Sequence, residues 1–285
     1  DPETPETAEP VAAPTPIVGI ASSAGGLEAV SILVQNLPAN APAVYVICQH
    51  MSPTHKSVLT TLISRETKLP VEELEGVVEP KANTIYVTPP NSDVVYERGM
   101  LRLRPPSGHP ATPKPSADRL FKSIAEELGQ NAVGIVMSGT GSDGSYGVQT
   151  MREHGGITIA QDPATAKYDG MPQSAIDTGY VDLTLSPEQI GTHLEKILAR
   201  PRNFDHLRDL TETPNPLNDL FSILRARTQV DFRDYKVNTL NRRVGRRMTA
   251  LGIESYDAYI DYCRTNEKEV AALHRDLLIS VTRFF

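Results

Sequence analysis

Short runs of apolar, β-branched residues alternate with helical segments through the first two hundred residues of the chain. This alternation is typical of βαβ units, in which helices cover both faces of a parallel sheet. The predicted strands are 16–20, 43–48, 84–88, 132–137 and 157–160. The predicted helices are 25–35, 55–67, one between an N-cap at Ser116 and Gly129, one after the loop 138–144, and one that begins at Ser186.

The pattern changes at two places along the chain. Residues 93–97 and 100–104 flank Arg98-Gly99 and predict a β-hairpin added to the parallel core. After residue 200 a polar, turn-rich stretch leads into segments with helical periodicity at 217–227, 235–250, 256–264 and 267–279. The predicted fold class is therefore α/β, a doubly wound and mainly parallel sheet with an appended β-hairpin, followed by a small all-α domain. The predicted divisions are a disordered linker 1–16, an α/β domain 17–200, a linker 201–216 and a helical domain 217–285.

Composition narrows the class of protein. A formal charge of -7, 39% hydrophobic residues and 22% charged residues are ordinary for a globular protein and disfavour a general nucleic-acid binder. Cys48 and Cys263 lie far apart, without metal-ligand spacing or the density of a disulfide scaffold, so we expect a reducing cytoplasm. No apolar run reaches the roughly 18 residues of a membrane span, and no signal peptide is visible. Because the chain lacks an initial Met, we expect a fragment of a longer protein.

A candidate nucleophile follows the first strand. Ser23 stands in the loop Ala21-Ser-Ser-Ala-Gly-Gly26, where glycines permit a tight turn and the following helix N-terminus favours developing negative charge. The alternative is a glycine-rich turn of a nucleotide-binding fold, although the loop lacks the Lys of a phosphate loop and the spacing of a dinucleotide motif.

Two further loops supply a candidate base and a candidate acid. His50 directly follows the second strand and is suited to accept the serine proton, although a lone histidine there is also a common cap or packed polar group. Asp143, in the loop 138–144, is suited to orient the imidazole, and N–H groups near Thr140 to line an oxyanion pocket. A helix N-cap or a metal-binding turn are the alternatives for this loop. Since loops of an open α/β sheet gather at the carboxyl edge of its strands, we expect the three side chains to meet.

These motifs resemble the catalytic domain of the CheB-type chemotaxis protein-glutamate methylesterases over roughly residues 16–198. The matching segments are Ser-Ala-Gly-Gly at 23–26, Gln-His-Met at 49–51, Pro-Ser-Ala-Asp at 115–118, Ser-Gly-Thr-Gly-Ser-Asp-Gly at 138–144 and Gly-Met-Pro at 170–172. The resemblance implies hydrolysis of glutamate methyl esters on the cytoplasmic helices of chemoreceptors, with glutamine deamidation as a second activity. It implies Ser23 as nucleophile, His50 as base and Asp143 as the partner of the base, without a cofactor. We assign Ala24, Thr140 and Met171 to the oxyanion site or the pocket.

Two features depart from that family. The first loop reads Ala21-Ser22-Ser23 where the family usually has Gly-Ala-Ser, so Ser22 offers a second hydroxyl beside the nucleophile. A phospho-receiver domain, which usually precedes such esterases, does not fit into residues 1–16, so we expect a different mode of regulation.

The helical segment 235–250 is basic in an otherwise acidic chain. The arginines Arg242, Arg243, Arg246 and Arg247 are spaced three and four apart and share a helix face, which predicts a basic stripe. An ordinary solvated face is the alternative. The segment 231–285, with Asp-Phe-Arg-Asp-Tyr-Lys at 231–236 and Thr-Arg-Phe-Phe at 282–285, resembles the N-terminal helical domain of the CheR-type receptor methyltransferases. The resemblance implies that these four arginines bind receptor helices.

The resemblances together predict a methylesterase joined to the front part of a methyltransferase. The S-adenosylmethionine-binding domain does not follow within the sequence, so we expect no methyl transfer by this chain. Expected partners are methylated chemoreceptor helices and the other domains of a longer hybrid protein, with no nucleic acid and no membrane insertion. A non-catalytic regulatory module that binds receptor tails, and a hydrolase of small esters, are the alternatives.

Overall fold

The computed structural model describes residues 14–51, 58–106, 114–199, 216–232 and 235–279. Of the two predicted linkers, only residues 14–16 and 216 lie within these ranges, so the linkers and the domain limits they define stay predictions.

Ten strands and ten α-helices make up the described chain. In order they are β1 Ile17–Ser22, α1 Gly26–Gln35, β2 Val44–Gln49, α2 Leu59–Glu66, β3 Val71–Glu73, β4 Val77–Val78, β5 Thr84–Val87, β6 Asp93–Glu97, β7 Met100–Arg104, α3 Ala117–Leu128, β8 Ala132–Val136, α4 Ser145–Glu153, β9 Ile157–Gln161, α5 Gly170–Asp177, β10 Leu183–Leu185, α6 Pro187–Leu198, α7 Pro216–Thr228, α8 Val237–Leu251, α9 Tyr256–Thr265 and α10 Glu267–Leu278.

Seven strands form one parallel sheet in the order β10-β9-β8-β1-β2-β5-β3. Alternate residues of a strand point to opposite faces, and β1 shows this directly. Val18 and Ile20 pack with α1, α2 and α6, whereas Ile17 and Ala21 pack with α3, α4 and α5. The sheet is therefore covered by helices on both faces, and the predicted doubly wound α/β class is confirmed.

A second, antiparallel sheet of order β4-β7-β6 contains the predicted hairpin. Its turn residues Arg98 and Gly99 have φ angles of 52° and 76°. Positive φ at both central residues defines the two-residue turn whose twist matches that of the flanking strands. The hairpin is confirmed at its predicted limits.

The four predicted C-terminal helices are present as α7 to α10, and they enclose an apolar core of their own. Within the described ranges, no helix combines the length and the apolar character that crossing a bilayer requires.

Sequence patterning missed three short strands and one helix. β3 has only three residues and lies at the sheet edge, β4 has two, and β10 has three, so none is long enough to show an alternation of apolar and polar residues. The missed helix is α5, which has only eight residues and begins with Gly-Met-Pro at 170–172 in its first turn. Proline is tolerated in the first turn of a helix because its missing N–H has no intrahelical partner there.

Candidate active site

The three candidate catalytic residues lie at the carboxyl ends of neighbouring strands. β1 lies between β2 and β8, and the parallel register pairs Ser22 with Gln49 and Ala21 with Val136. Ser23 and His50 directly follow β1 and β2, and the N–H of His50 donates to the carbonyl of Ser22 over 2.9 Å. The sheet order therefore brings Ser23, His50 and the loop 138–144 to one edge.

His50 and Asp143 form a direct hydrogen bond. The Nε2 atom of His50 lies 2.8 Å from the Oδ2 atom of Asp143, and only 7% and 13% of the two side chains are exposed. A carboxylate only accepts hydrogen bonds, so Nε2 carries the proton and Nδ1 has the lone pair in the neutral ring. Nδ1 is buried and has no hydrogen-bond partner among the described residues.

The first turn of α3 holds Asp143 in place. The N–H of Ala117 donates to Oδ2 over 2.7 Å, and the N–H of Asp118 donates to Oδ1 over 3.1 Å. Burial alone would raise the pKa of Asp143, but the hydrogen bonds from His50 and from these two backbone groups outweigh burial and lower the pKa below its usual value. Asp143 is therefore a carboxylate at neutral pH.

Asp143 is not the N-cap of the helix that follows its loop. The N-cap of α4 is Gly144, with a φ of 97°, rather than Ser142 or Asp143. In the part of the chain that the structure describes, no three His, Cys, Asp or Glu side chains are grouped to hold a metal ion.

The Ser23 loop is fixed mainly through its backbone. The N–H of Ser23 donates to the carbonyl of Ser138 over 3.0 Å, and Nε2 of Gln49 donates to the carbonyl of Ser23 over 2.7 Å. Gly25 follows as the N-cap of α1 with a φ of 69°, a conformation that favours glycine. The Ser23 side chain is half-buried, and its Oγ atom makes no hydrogen bond within the described ranges.

Ser22 is set apart from Ser23 by its environment. Its side chain is fully buried, and its hydroxyl donates to the Oε1 atom of Gln49. The second hydroxyl of the loop is thus a structural group that faces away from solvent.

Ala24, Thr140 and Met171 surround Ser23 in different ways. The N–H groups of Ala24 and Thr140 make no hydrogen bond to any described residue, and both residues are exposed. The N–H of Met171 donates to the carbonyl of Gly139 over 2.8 Å, so only its buried side chain remains to shape the site. A methyl group at Gly139 would lie 2.3 Å from Met171 Sδ and 2.7 Å from Ser23 Cβ, which shows how closely Met171 and the nucleophile loop approach.

Sequence reasoning missed two residues that organise this edge. Gln49 bonds both Ser22 and the backbone of Ser23, and Ser138 bonds the backbone of Ser23, Ala24 and Tyr168. Their positions beside His50 and at the start of the 138–144 loop were the signals available. Their partners lie 26 to 30 residues away or more in sequence, so only the fold identifies these contacts.

The basic stripe of α8 does not lie on an exposed face. Arg242 is exposed, but Arg243, Arg246 and Arg247 are 4%, 3% and 2% exposed. Burial of Arg243 lowers its pKa to about 10. An ordinary solvated face, the alternative for this stripe, therefore applies to Arg242 but not to Arg243, Arg246 and Arg247, because α8 packs against the α/β part of the chain.

A buried ion-pair network joins the helical part to the α/β part. Arg246 donates to Asp276 over 2.7 Å, to Asp182 and to the carbonyl of Gly156 over 3.0 Å. Arg247 donates to Asp182 over 2.7 Å and through two nitrogens to Glu269, over 2.9 and 2.6 Å.

Arg152 of α4 completes this network from the other side. Its Nε donates to Asp276 over 2.6 Å, and its side chain is 1% exposed. Arg152, Arg246 and Arg247 thus pair with the buried carboxylates of Asp182, Asp276 and Glu269, and ion pairs cross the boundary between the two parts. A receptor-binding role for Arg243, Arg246 and Arg247 stays a prediction, and it requires the helical part to leave this position.

Comparison with known proteins identifies the family of this chain. The family model described as CheB methylesterase matches residues 18–194, and the model described as CheR methyltransferase, all-alpha domain, matches residues 215–278. The catalytic domain of Thermotoga maritima CheB methylesterase, a crystal structure, has 30% sequence identity and a TM-score of 0.59, and the alignment covers 64% of this chain and 97% of that chain.

Curated relatives match this chain over different shares of its length. An uncharacterised 104.1 kDa protein of Rhodobacter capsulatus is 35% identical over 80% of this chain and 26% of its own length. The protein-glutamate methylesterase FrzG of Myxococcus xanthus is 37% identical over 64% of this chain and 54% of its own length. A protein-glutamate methylesterase/protein-glutamine glutaminase of Caulobacter vibrioides is 36% identical over 65% of this chain and 55% of its own. The chain thus spans about half the length of these two methylesterases and about a quarter of the Rhodobacter protein.

Because the first family model covers more than half of the chain, this protein belongs to the CheB methylesterase family, and it carries in addition a CheR-type all-alpha domain.

Proposed function

We propose that this chain is a protein-glutamate methylesterase that hydrolyses glutamate methyl esters on the cytoplasmic helices of chemoreceptors, with Ser23 as nucleophile. The observation that carries the proposal is the 2.8 Å hydrogen bond between His50 and Asp143 at the strand ends beside Ser23. The names of the Myxococcus and Caulobacter relatives support glutamate methyl esters as the substrate.

The geometry supports a two-step acyl transfer. Ser23 Oγ attacks the ester carbonyl while its proton passes to Nδ1 of His50, the nitrogen that Asp143 leaves with its lone pair. Rotation about the Ser23 χ1 angle brings Oγ toward Nδ1 when substrate binds, since catalytic hydrogen bonds often tighten only in the complex. The tetrahedral intermediate collapses to an acyl-serine, and the leaving methoxide takes the proton from His50 to become methanol.

Water then completes the reaction. Nδ1 of His50 accepts a proton from water as the hydroxide attacks the acyl-serine, and the collapse of this second intermediate returns the proton to Ser23 Oγ. The products are a glutamate carboxylate, methanol and one released proton, so one ester and one water are consumed. The free N–H groups of Ala24 and Thr140 are the proposed oxyanion donors, and the N-terminus of α1 adds a favourable dipole. The reaction as written uses no cofactor.

The test is methanol release from a methylated chemoreceptor, measured for the wild-type chain and for Ser23→Ala. Ser23→Ala is expected to lower the rate by about three orders of magnitude or more, as removal of a nucleophile does in other serine hydrolases. A matched control is Ser142→Ala, an exposed hydroxyl of the 138–144 loop that should leave the rate unchanged. Full activity of Ser23→Ala would overturn the proposal.

Labelling with a fluorophosphonate separates the enzyme from a non-catalytic module. Labelling that requires Ser23 supports the proposed hydrolase, whereas no labelling together with binding to receptor helices supports a regulatory module that binds receptor tails. Activity on small esters without any on methylated receptor would support a small-ester hydrolase.

A second activity favoured by the comparisons is glutamine deamidation. The Caulobacter relative is named a protein-glutamine glutaminase as well as a methylesterase, and the same acyl-serine forms when ammonia leaves in place of methanol. The measurement is ammonia release from a receptor that carries glutamine at the modified positions, which should also require Ser23.

We further propose that the helical part of this chain does not itself transfer methyl groups. The model that it matches is the all-alpha domain of CheR methyltransferases alone. Incubation with labelled S-adenosylmethionine and unmethylated receptor should leave the receptor unlabelled, and labelling would contradict the proposal.

A further inference from the structure

Two exposed side chains lie against the nucleophile loop without belonging to the proposed triad. They are Lys167 and Tyr168, in the connection between β9 and α5. A methyl group at Gly25 would lie 2.8 Å from Tyr168 Cδ2 and 2.9 Å from Lys167 Cβ. Both side chains therefore cover the backbone of Gly25, two residues after Ser23.

The backbone of Tyr168 is hydrogen-bonded to the 138–144 loop, which in turn holds the nucleophile loop. Its N–H donates to Ser138 Oγ over 3.0 Å, and its carbonyl accepts from the N–H of Gly139 over 2.9 Å. Ser138 in turn accepts the N–H of Ser23 through its own carbonyl. The Lys167-Tyr168 pair is thus held at a fixed distance from the nucleophile by a chain of hydrogen bonds.

The two side chains remain open to a binding partner. Tyr168 is 43% exposed, and Lys167 is exposed and makes no ion pair with any described residue. A large aromatic side chain that is fixed at its backbone and open to solvent loses little conformational freedom on binding, which is why Tyr is enriched where proteins bind one another. The aliphatic stem of Lys167 extends the apolar surface, and its ammonium group stays in water.

The width of a helical substrate favours contact with this surface. A glutamyl ester side chain is short, so the helix that carries it must come close to Ser23. A helix with its side chains is about 10–12 Å wide, and it therefore covers the surface beside Ser23 as well as Ser23 itself. A small ester enters without touching that surface.

We propose that Lys167 and Tyr168 form a substrate-docking rim, which contacts the helix beside the esterified glutamate and selects a protein over a small ester. This inference rests on the proposed function, and it adds residues that set specificity without taking part in the chemistry.

The test compares two substrates in the full chain. Lys167→Ala and Tyr168→Ala are assayed for methanol release from methylated receptor and for hydrolysis of p-nitrophenyl acetate. On the receptor, Tyr168→Ala should raise KM at least about fivefold with kcat nearly unchanged, because an anchoring tyrosine of an interface costs more than about 1 kcal/mol when truncated. Hydrolysis of p-nitrophenyl acetate should be unchanged in both variants. Tyr262→Ala and Lys268→Ala, exposed residues of the helical part, serve as matched controls.

The outcomes separate this inference from the proposed function. An unchanged KM for methylated receptor in both rim variants would overturn the rim. Equal losses on receptor and on p-nitrophenyl acetate would also overturn it, because they would show that the pair holds the Ser23 loop rather than the substrate. Failure of the wild-type chain on both substrates would instead remove the proposed function, and the rim with it. Since both side chains are exposed and their hydrogen bonds come from the backbone, the variants are expected to melt as the wild type does.

Discussion

The carboxylate of Asp143 accepts hydrogen bonds at the start of α3, which contains Asp118, and the carboxylate of Asp118 accepts hydrogen bonds at the start of α4, which follows Asp143. Asp143 precedes α4 and accepts from the N–H groups of Ala117 and Asp118 in the first turn of α3. Asp118, in that turn of α3, accepts from the N–H of Gly144 over 3.0 Å and from the N–H of Gly147 over 2.7 Å, at the start of α4. The exchange fixes the two helix ends against each other and sets the position of the carboxylate that orients His50.

The two carboxyl groups have opposite pKa shifts. Burial and the nearby charge of Asp143 raise the pKa of Asp118 to about 6, against the opposing effect of the backbone hydrogen bonds from Gly147 and Gly144. The pKa of Asp143 is lowered. On acidification Asp118 is therefore the first of the pair to take up a proton, while Asp143 remains ionised and keeps its bond to His50.

The variant Asp118→Asn should show a pH-dependent gain in stability relative to the wild type. A group whose folded pKa is raised binds its proton more tightly in the folded state, so the contribution of Asp118 to wild-type stability falls as the pH rises from about 4 to about 6. Asparagine does not titrate and lacks this loss. We expect the melting temperature of the variant, minus that of the wild type, to grow across this range and to stay level above it. Parallel melting curves from pH 4 to 8 would contradict the raised pKa.

Replacement of Ser22 tests whether the neighbouring hydroxyl takes part in chemistry. Ser22→Ala removes a buried hydrogen bond to Gln49 and should reduce the free energy of unfolding by about 1 kcal/mol. Labelling with fluorophosphonate and methanol release should persist, because Ser22 faces the interior. Ser23→Ala is the comparison, because it should lose both labelling and methanol release. Loss of labelling in Ser22→Ala but not in Ser23→Ala would show that the nucleophile was assigned to the wrong serine.

Ser22 and Ser23 also show how much of the site could be predicted from the sequence. The sequence placed Ser23, His50 and Asp143 after apolar strands, and the parallel sheet brings strand ends to one edge, so their meeting was predictable. Which of two adjacent serines points outward depends on the pleat of β1 and on Gln49, a contact 27 residues away in sequence. The spacing of residues in one loop contains neither piece of information.

The arginines of α8 show what residue spacing alone could not predict. Spacing of three and four residues correctly placed Arg243, Arg246 and Arg247 on one helix face, but the same spacing describes a solvated stripe and a buried interface. Asp182, the carboxylate partner of Arg246 and Arg247, lies 64 and 65 residues earlier in the chain. Only the packing of the helical part onto the α/β part distinguishes the two cases.

Substitution of Gly139 should disable the proposed nucleophile without a change in charge. In Gly139→Ala the added methyl group would lie 2.7 Å from Ser23 Cβ and 2.3 Å from Met171 Sδ, distances that force one of these neighbours to move. A displacement of about 1 Å at a reacting group costs on the order of a hundredfold in rate. We expect kcat for methanol release to fall by about that factor.

A second substitution separates displacement of Ser23 from general damage. Met171→Ala in the Gly139→Ala background removes the sulfur that the new methyl group would meet, so it should restore part of the lost rate. The single variant Met171→Ala serves as the control for the cavity that truncation leaves. An unimpaired Gly139→Ala enzyme would show that the loop carrying Gly139 does not confine Ser23.

Removal of Asp276 should uncouple the two parts of the chain. Asp276 lies in α10 with its side chain fully buried, and it accepts hydrogen bonds from Arg152 of α4 and from Arg246 of α8. Asp276→Ala leaves both arginines buried with one fewer carboxylate, and the loss of one partner from a buried ion pair typically costs about 3–5 kcal/mol. Unfolding in urea, followed by far-UV circular dichroism, should show a lower midpoint and a separate, earlier transition for the helical part.

The control Asp261→Ala removes an exposed carboxylate that pairs with Arg264 and should cost less than about 1 kcal/mol. If Asp276→Ala cost no more than this control, the network would not be what holds the helical part against the esterase.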